Sequence, residues 1–142
     1  MSQFKALRQI KYQAVQRAEI ALATNRAQIA YQEQELHALS AQLYDLSVPS
    51  QGGMSGFAQL NALKHNYRYA LAQTQAQIAQ LEQEEARLQE AYKQASIEYE
   101  KIAYLETLET QKALEALKKR EHQEMDAIGT SVFIQKQRNA HG

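Results

Sequence analysis

Two long apolar stripes, separated by one short turn-forming segment, constrain this sequence more than any other feature. Both stripes repeat every seven residues. This spacing, with a second apolar position three or four residues further on, is typical of helices that supercoil around a partner. The segment between the stripes contains Pro49, Gly52 and Gly53, which end helices and form turns. The sequence therefore predicts two helices joined by one bend. The first stripe consists of Val15, Leu22, Ile29, Leu36 and Leu43, and the second of Leu60, Tyr67, Thr74, Leu81, Leu88, Ala95 and Ile102.

The composition favours long helices over a globular fold. Of the 142 residues, one is proline, five are glycine and none is tryptophan, whereas Ala, Gln, Glu and Leu are abundant. A globule would need more turns than these few Gly and Pro residues supply. We expect an all-α fold, a single long antiparallel two-helix coiled-coil hairpin with a C-terminal helical overhang. Its helices span about residues 3–46 and 57–128, with a bend at about 47–56 and a tail at 129–142.

Charge and cysteine content exclude several classes of function. The formal net charge is zero, which argues against bulk binding to nucleic acid or to a membrane surface. The absence of cysteine excludes disulfides, thiolate metal sites and cysteine nucleophiles, and it fits a cytoplasmic location. The N-terminus lacks an apolar signal core, and no stretch approaches the roughly 18 apolar residues of a membrane span. We therefore expect a soluble protein, or one that reaches a membrane only through a partner.

An antiparallel register follows from aligning the stripes. It places Leu22 beside Leu81 and Phe4 beside Tyr99. In this register a basic first helix lies along an acidic part of the second, which helps to fix the orientation. A parallel homodimer, in which each helix meets its own copy, is the alternative, and the central break and the opposed charges argue against it. The basic residues are Lys5, Arg8, Lys11, Arg17 and Arg26, and the acidic ones are Glu82, Glu84, Glu85, Glu90, Glu98 and Glu100.

Polar residues interrupt the predicted seam. Four polar side chains are expected to face apolar ones across the seam: Asn25 faces Ile78, Gln32 faces Leu71, Lys64 faces Leu39 and Glu85 faces Ala18. Buried polar residues lower stability and can fix register. We expect a hairpin of modest stability.

The second helix is predicted to outrun the first. The first helix covers the second only as far as about Tyr99, and Gly129 is expected to end the helix as a C-cap. A single exposed helix with an apolar stripe is not stable alone, so the overhang predicts a partner or a second copy. The alternative is a fraying overhang whose stripe is accidental. The apolar residues in question are Ile102, Leu105, Leu108, Leu114, Leu117, Met125 and Ile128.

No catalytic constellation emerges. The predicted register brings His37 and His65 close together near the bend, where either a metal site or two solvated histidines would fit, and we expect the latter. The glycines of the bend lack the Lys-Ser/Thr that a phosphate-binding loop requires. A two-helix hairpin also offers no enclosed pocket for a reaction. The sequence predicts no catalytic residue, no metal site, no cofactor and no enzyme activity.

The run from Lys119 to Ile128 is similar to the C-terminal ending of the FliJ family, the small coiled-coil component of the flagellar type III protein-export apparatus. The segment Leu105–Glu109 resembles the one that precedes this ending. The resemblance covers nearly the whole chain: its length, the basic first helix, the Gly-containing bend and the longer second helix. Ala127 and Gly129 depart from the family's residues. The injectisome proteins of the YscO group are relatives of this family.

The resemblance implies a non-catalytic central-stalk and linker protein of a flagellar export ATPase complex, cytoplasmic and peripheral at the inner-membrane export apparatus. In this family the paired ends of the hairpin enter the hexameric ATPase ring, promote its assembly and couple it to the export gate. The ring-binding residues that the resemblance implies are Phe4, Leu7, Arg8, Lys11, Leu114, Leu117, Arg120, Gln123, Met125 and Asp126.

The resemblance also implies docking on the cytoplasmic linker of the export-gate membrane protein, through Leu63, Tyr67 and Ala70. Export chaperones are a further implied partner, to which no residue is assigned, whereas nucleic acid and direct membrane insertion are not expected. The alternatives are a general coiled-coil scaffold that self-associates through the overhang and an injectisome stalk protein of the same architecture. A prefoldin-like chaperone is weaker because the β-hairpins of such proteins are missing, and a metal-dependent enzyme is weakest.

Overall fold

The computed structural model describes residues 3–46 and 54–141, and these residues form two helices. Helix α1 (Lys5–Asp45) has 41 residues and helix α2 (Met54–His141) has 88. No strand occurs within the described ranges. The two helices pack together, which confirms the predicted all-α helical hairpin. The part of the predicted bend from 47 to 53 lies outside the described residues.

The bounds of α2 differ from those predicted. Helix α2 begins at Met54 and continues to His141, so the predicted tail at 129–142 is wrong. Gly129 lies inside the helix, and the hydroxyl of Thr130 donates a hydrogen bond to the carbonyl oxygen of Asp126, at 3.0 Å, one turn earlier. An isolated helical glycine costs only about 1 kcal/mol relative to alanine, which a long helix can tolerate. A glycine at the expected place is therefore not enough to end this helix.

The chain divides into two compact units. The middle unit comprises residues 13–96, and the end unit comprises Met1–Tyr12 with Ile97–Gly142. The prediction of a single domain stays a prediction.

The predicted stripes line the contact between the helices of the middle unit. Leu22 and Ile29 of α1 and Thr74 of α2 are buried, and every other stripe position in this unit is half-buried. Two helices can cover only one face of each other, so the apolar seam is narrow. The heptad pattern of the sequence is confirmed.

Two polar side chains are also buried in this seam. Asn25 is 5% exposed and donates from Nδ2 to the carbonyl oxygen of Leu81, at 2.9 Å. Thr74 donates its hydroxyl hydrogen to the carbonyl oxygen of Ala70, also at 2.9 Å. Because each donor has an acceptor, neither polar group carries an unpaired desolvation cost.

The register of the middle unit differs from the predicted one. Glu85 was expected to face Ala18, but its Oε1 lies 2.9 Å from Nε of Arg26. The difference is about one heptad. A stripe that repeats every seven residues matches itself again after a shift of seven, so the apolar pattern cannot fix the register, whereas individual charges can.

The end unit shows a shift of the same size. Tyr99 was expected beside Phe4, but its ring lies against that of Tyr12, with centroids 5.6 Å apart and planes tilted by 50°. The backbone N–H of Gln3 donates to Oε1 of Glu109, at 3.3 Å. The N-terminal segment therefore reaches Glu109, and the expectation that coverage stops at about Tyr99 is wrong.

Candidate functional site

The second half of the end unit contains a long stretch of uncovered helix. Half-buried residues continue along α2 as far as Glu109, and every residue from 110 to 140 is exposed. We call residues 110–140 the overhang. Glu109, the last half-buried residue, accepts a hydrogen bond from the backbone N–H of Gln3. The predicted unpartnered overhang is confirmed, although it begins about ten residues later than expected.

Large apolar side chains lie in one row along the overhang. A helix turns by about 100° per residue, so side chains spaced three, four, seven or eleven residues apart share a face. Leu114 and Leu117 recur eleven residues later as Met125 and Ile128. An eleven-residue repeat follows a nearly straight or slightly right-handed path, unlike the left-handed path of a heptad. We call this row the overhang stripe: Leu114 (51% exposed), Leu117 (47%), Met125 (69%), Ile128 (59%) and Val132 (45%).

One charged side chain lies on the overhang stripe, and two large apolar side chains near its end do not. Glu121 lies on it, between Leu117 and Met125, and is the one charged member of the face. Phe133 and Ile134 are 61% and 47% exposed but point to other sides of the helix. The three consecutive apolar residues at 132–134 are therefore divided, with only Val132 on the overhang stripe.

The charges of the overhang are separated along its length. Residues 112–120 contain four basic side chains and one acidic one, whereas residues 121–135 contain three acidic side chains and no Lys or Arg. Within the acidic half, Nε2 of His122 lies 3.8 Å from Oδ2 of Asp126, a contact that becomes an ion pair when the imidazole is protonated. The overhang thus has a basic half followed by an acidic half.

The N-terminal members of the predicted ring-binding set have partners on α2. Nε of Arg8 lies 2.8 Å from Oε2 of Glu106, without the alignment of a hydrogen bond. Nζ of Lys11 donates to Oε2 of Glu98, also at 2.8 Å, and this hydrogen bond lowers the pKa of the Glu98 carboxyl group. Both cations therefore hold the end unit together. From the sequence, Arg8 and Lys11 were assigned to a partner, and their contacts with α2 were missed. The opposed charges of the basic first helix and the acidic part of the second had indicated such contacts.

The predicted ring-binding residues fall into two groups. Phe4 is half-buried and Leu7 is 38% exposed, and the contacts made by Gln3, Arg8 and Lys11 all fall between Glu98 and Glu109. The other six residues lie on the overhang, where all are exposed. Of these six, Leu114, Leu117 and Met125 lie on the overhang stripe, and Arg120, Gln123 and Asp126 lie beside it or behind it.

The predicted gate-binding residues lie in the middle unit and have different environments. Leu63 is 43% exposed, whereas Tyr67 and Ala70 are half-buried. Tyr67 belongs to the heptad seam, and the carbonyl oxygen of Ala70 accepts the hydrogen bond from Thr74. Of these three side chains, Leu63 is the one that a partner can reach without competing with the hairpin.

The described part of the chain shows neither a cluster of metal-ligating side chains nor a membrane-spanning helix. In residues 3–46 and 54–141 there is no group of three or more His, Cys, Asp or Glu side chains that could hold a metal ion. Neither described helix contains a stretch that is long and apolar enough to cross a membrane. What the described surface does offer is the exposed apolar face of the overhang.

Comparison with known proteins agrees with this geometry. The family model described as "Flagellar FliJ protein" matches residues 1–138. No curated protein and no solved structure gives a significant match. Since the family model spans nearly the entire sequence, the chain belongs to the FliJ family, whose members are non-catalytic coiled-coil proteins associated with the flagellar export apparatus.

Proposed function

We propose that this chain is the central stalk and linker of a flagellar type III export ATPase. Its paired ends enter the hexameric ATPase ring and promote assembly of the ring, and the hairpin couples the ring to the export gate. The protein works in the cytoplasm, at the periphery of the inner-membrane export apparatus. The observation that carries this proposal is the overhang: an exposed apolar stripe on uncovered helix, in a chain of the FliJ family.

The stability of the overhang depends on what covers its apolar stripe. Most of the stability of a protein helix comes from packing of its apolar face, and no other described segment of the chain covers the overhang stripe. Full burial of a Leu, Ile or Met side chain contributes about 1.5–3 kcal/mol, so burial of a half-exposed one contributes roughly half of that. Five such side chains give a partner enough free energy to order the helix and to bind it. A ring with an apolar or mixed lining meets this requirement.

The end unit is also suited to a narrow opening. Residues 3–12 lie against residues 97–109, and two helices of about 10 Å diameter side by side are roughly 20 Å across. The Arg8–Glu106 and Lys11–Glu98 pairs keep the N-terminal segment against α2. The role that we assign to these two cations is therefore to maintain the paired end, in addition to any contact with the ring.

The test is to mix the purified chain with its cognate export ATPase and to measure hexamer formation and ATP hydrolysis. We expect the full chain to stimulate both, and truncation after residue 110 to abolish the stimulation. The substitution Leu117→Gln with Ile128→Gln should lower it severalfold, because it removes two members of the overhang stripe. The matched control is Glu115→Gln, an exposed position of the overhang away from that stripe, which should retain full stimulation.

Two results would count against the stalk assignment. One is an absence of stimulation by the full-length chain. The other is equal stimulation by the full-length and truncated chains, since the overhang would then be dispensable.

Coupling to the export gate is assigned to the early part of α2. Leu63 is exposed beside the half-buried Tyr67 and Ala70, so Leu63→Arg should weaken binding to the cytoplasmic linker of the gate protein without unfolding the hairpin. Unchanged binding of the Leu63→Arg chain, in a pull-down with that linker, would remove this surface from the proposal.

A further inference from the structure

We infer that, when no other partner covers it, the overhang pairs with the overhang of a second copy of this chain, antiparallel and through the overhang stripe. The inference does not rest on the proposed function. It rests on the arrangement of apolar and charged side chains along residues 112–135.

The overhang stripe has nearly the same pattern in both directions. When two copies run antiparallel with their centres at Gln123, Leu114 of one copy lies opposite Val132 of the other. Leu117 then lies within one residue of the level of Ile128 of the second copy, close enough for the two side chains to pack. All of these side chains are between 45% and 59% exposed in the single chain, so each has surface to lose on pairing. The pattern is therefore self-complementary in an antiparallel arrangement.

Charge selects the antiparallel arrangement over the parallel one. Antiparallel pairing brings the basic half of each overhang, residues 112–120, against the acidic half of the other, residues 121–135. Parallel pairing would join like halves and would place the two Glu121 carboxylates opposite each other within the apolar face. Like charges at one level of a seam are destabilising, whereas the antiparallel arrangement places Glu121 opposite Met125 of the second copy.

One pair of side chains gives this arrangement a specific contact. Arg120 and Glu124 are four residues apart on the same flank of the overhang stripe, and both are exposed. In the antiparallel pair, Arg120 of one copy lies within reach of Glu124 of the other. The two-fold symmetry repeats the contact, so each interface contains it twice.

The interface is small, which makes the association weak and reversible. The span from Leu114 to Val132 is about 19 residues, or roughly 27 Å of helix. A two-helix contact of this length falls in the class of transient interfaces. Glu121 weakens it further, because its carboxylate loses water on pairing without gaining an opposite charge. A second copy and any other partner of the overhang stripe would cover the same side chains, so only one of them can bind at a time. Because pairing between two copies is weak, a tighter partner displaces the second copy.

The test is sedimentation equilibrium of the full-length chain, without any ATPase, over a wide concentration range at low ionic strength. We expect a monomer–dimer equilibrium that shifts toward monomer at high salt. The Arg120→Glu chain should dissociate at least tenfold more readily, because it places two acidic side chains together at each of the two contacts. The double variant Arg120→Glu with Glu124→Arg should return to within about threefold of the original constant, since the pair is reversed but complete.

Two further variants sharpen the result. Glu121→Leu completes the apolar face and should tighten the dimer at least tenfold, equivalent to about 1.4 kcal/mol. Lys119→Glu carries the same charge change as Arg120→Glu one residue away, but on the opposite side of the helix, and should alter the constant less than threefold. Circular dichroism of each variant confirms that the hairpin is intact.

Three outcomes would overturn the inference. The first is a chain that stays monomeric at every concentration, including the Glu121→Leu variant. The second is an equal effect of Lys119→Glu and Arg120→Glu, and the third is a double variant that is not restored. None of these outcomes bears on stimulation of the ATPase, so the two proposals fail or stand separately.

Discussion

The middle unit and the overhang both contain an apolar stripe on a long helix, but they use it differently. In the middle unit the stripe repeats every seven residues and is covered, with Leu22 and Ile29 only 8% and 9% exposed. On the overhang the stripe follows an eleven-residue repeat and is uncovered, with Met125 at 69% exposure. The heptad stripe fits a supercoiled helical partner, which α1 and α2 provide for each other in the middle unit. The eleven-residue stripe of the overhang has no such partner among the described residues.

This difference separates stability from recognition. Burial of the heptad stripe supplies the free energy that holds the two helices of the middle unit together. The overhang contributes little to that free energy because none of its side chains is covered. A surface that does not support the fold is free to bind and to release a partner, as a transient contact requires.

The largest expected contrast is in the rate of proteolysis. Trypsin cleaves after Lys and Arg, and both regions contain such residues: Lys118, Lys119 and Arg120 on the overhang, Arg26 and Lys64 in the middle unit. The overhang opens locally at almost no cost, whereas the middle unit must first break its seam. We expect cleavage at the Lys118–Arg120 cluster to be roughly a hundredfold faster, because a seam worth a few kcal/mol keeps the open form rare.

Limited digestion at high dilution, followed by mass spectrometry of timed samples, measures these rates. Dilution keeps the overhang unpaired during the digestion. Equal rates at the two sites would mean that the exposed helix is as protected as the covered one, and the comparison would fail.

The next contrast is in thermodynamic stability. Leu22→Ala removes a buried side chain from the seam of the middle unit and should lower the free energy of unfolding by about 2–3 kcal/mol. Leu117→Ala is the same substitution on the overhang stripe, at 47% exposure, and should change it by less than about 0.5 kcal/mol. Urea unfolding followed by circular dichroism compares the two chains. A loss of similar size from both would show that the overhang stripe is covered in the folded molecule.

The sequence predicted the middle unit better than the end unit, for physical reasons. A covered stripe leaves a periodic pattern of apolar residues, and all stripe positions of the middle unit were identified correctly. The register was wrong by about one heptad because that pattern is identical after a shift of seven residues. Arg26–Glu85 and Tyr12–Tyr99 reveal the observed register, and single pairs such as these carry too little signal to be selected in advance.

The candidate site in the end unit was also predicted only in part. The exposure of Leu114, Leu117 and Met125 was predictable because one helix is longer than the other. The end of α2 was not predictable, because Gly129 resembles a C-cap in the sequence and yet the helix continues through it to His141. The family resemblance assigned Arg8 and Lys11 to a partner, and the shifted register hid their contacts with Glu106 and Glu98.

The smallest expected effect concerns the ion pair between Lys11 and Glu98. The hydrogen bond from Lys11 lowers the pKa of Glu98 below its ordinary value, with a smaller contribution from the charge of Lys101. A carboxyl group whose pKa is lower in the folded state stabilises that state above its unfolded pKa. This contribution therefore fades as the pH falls through the lowered pKa of Glu98. The Lys11→Met chain should titrate Glu98 closer to its ordinary value, and NMR titration of the Glu98 carboxyl carbon measures the shift.

An identical titration curve in the original and Lys11→Met chains would mean that the pair does not persist in solution. The expected gain in stability is small, since Glu98 is exposed and water screens the attraction. The pair therefore acts mainly by positioning the N-terminal segment. With Arg8–Glu106 one turn earlier on α1, it keeps the N-terminal segment on the α2 residues that immediately precede the overhang.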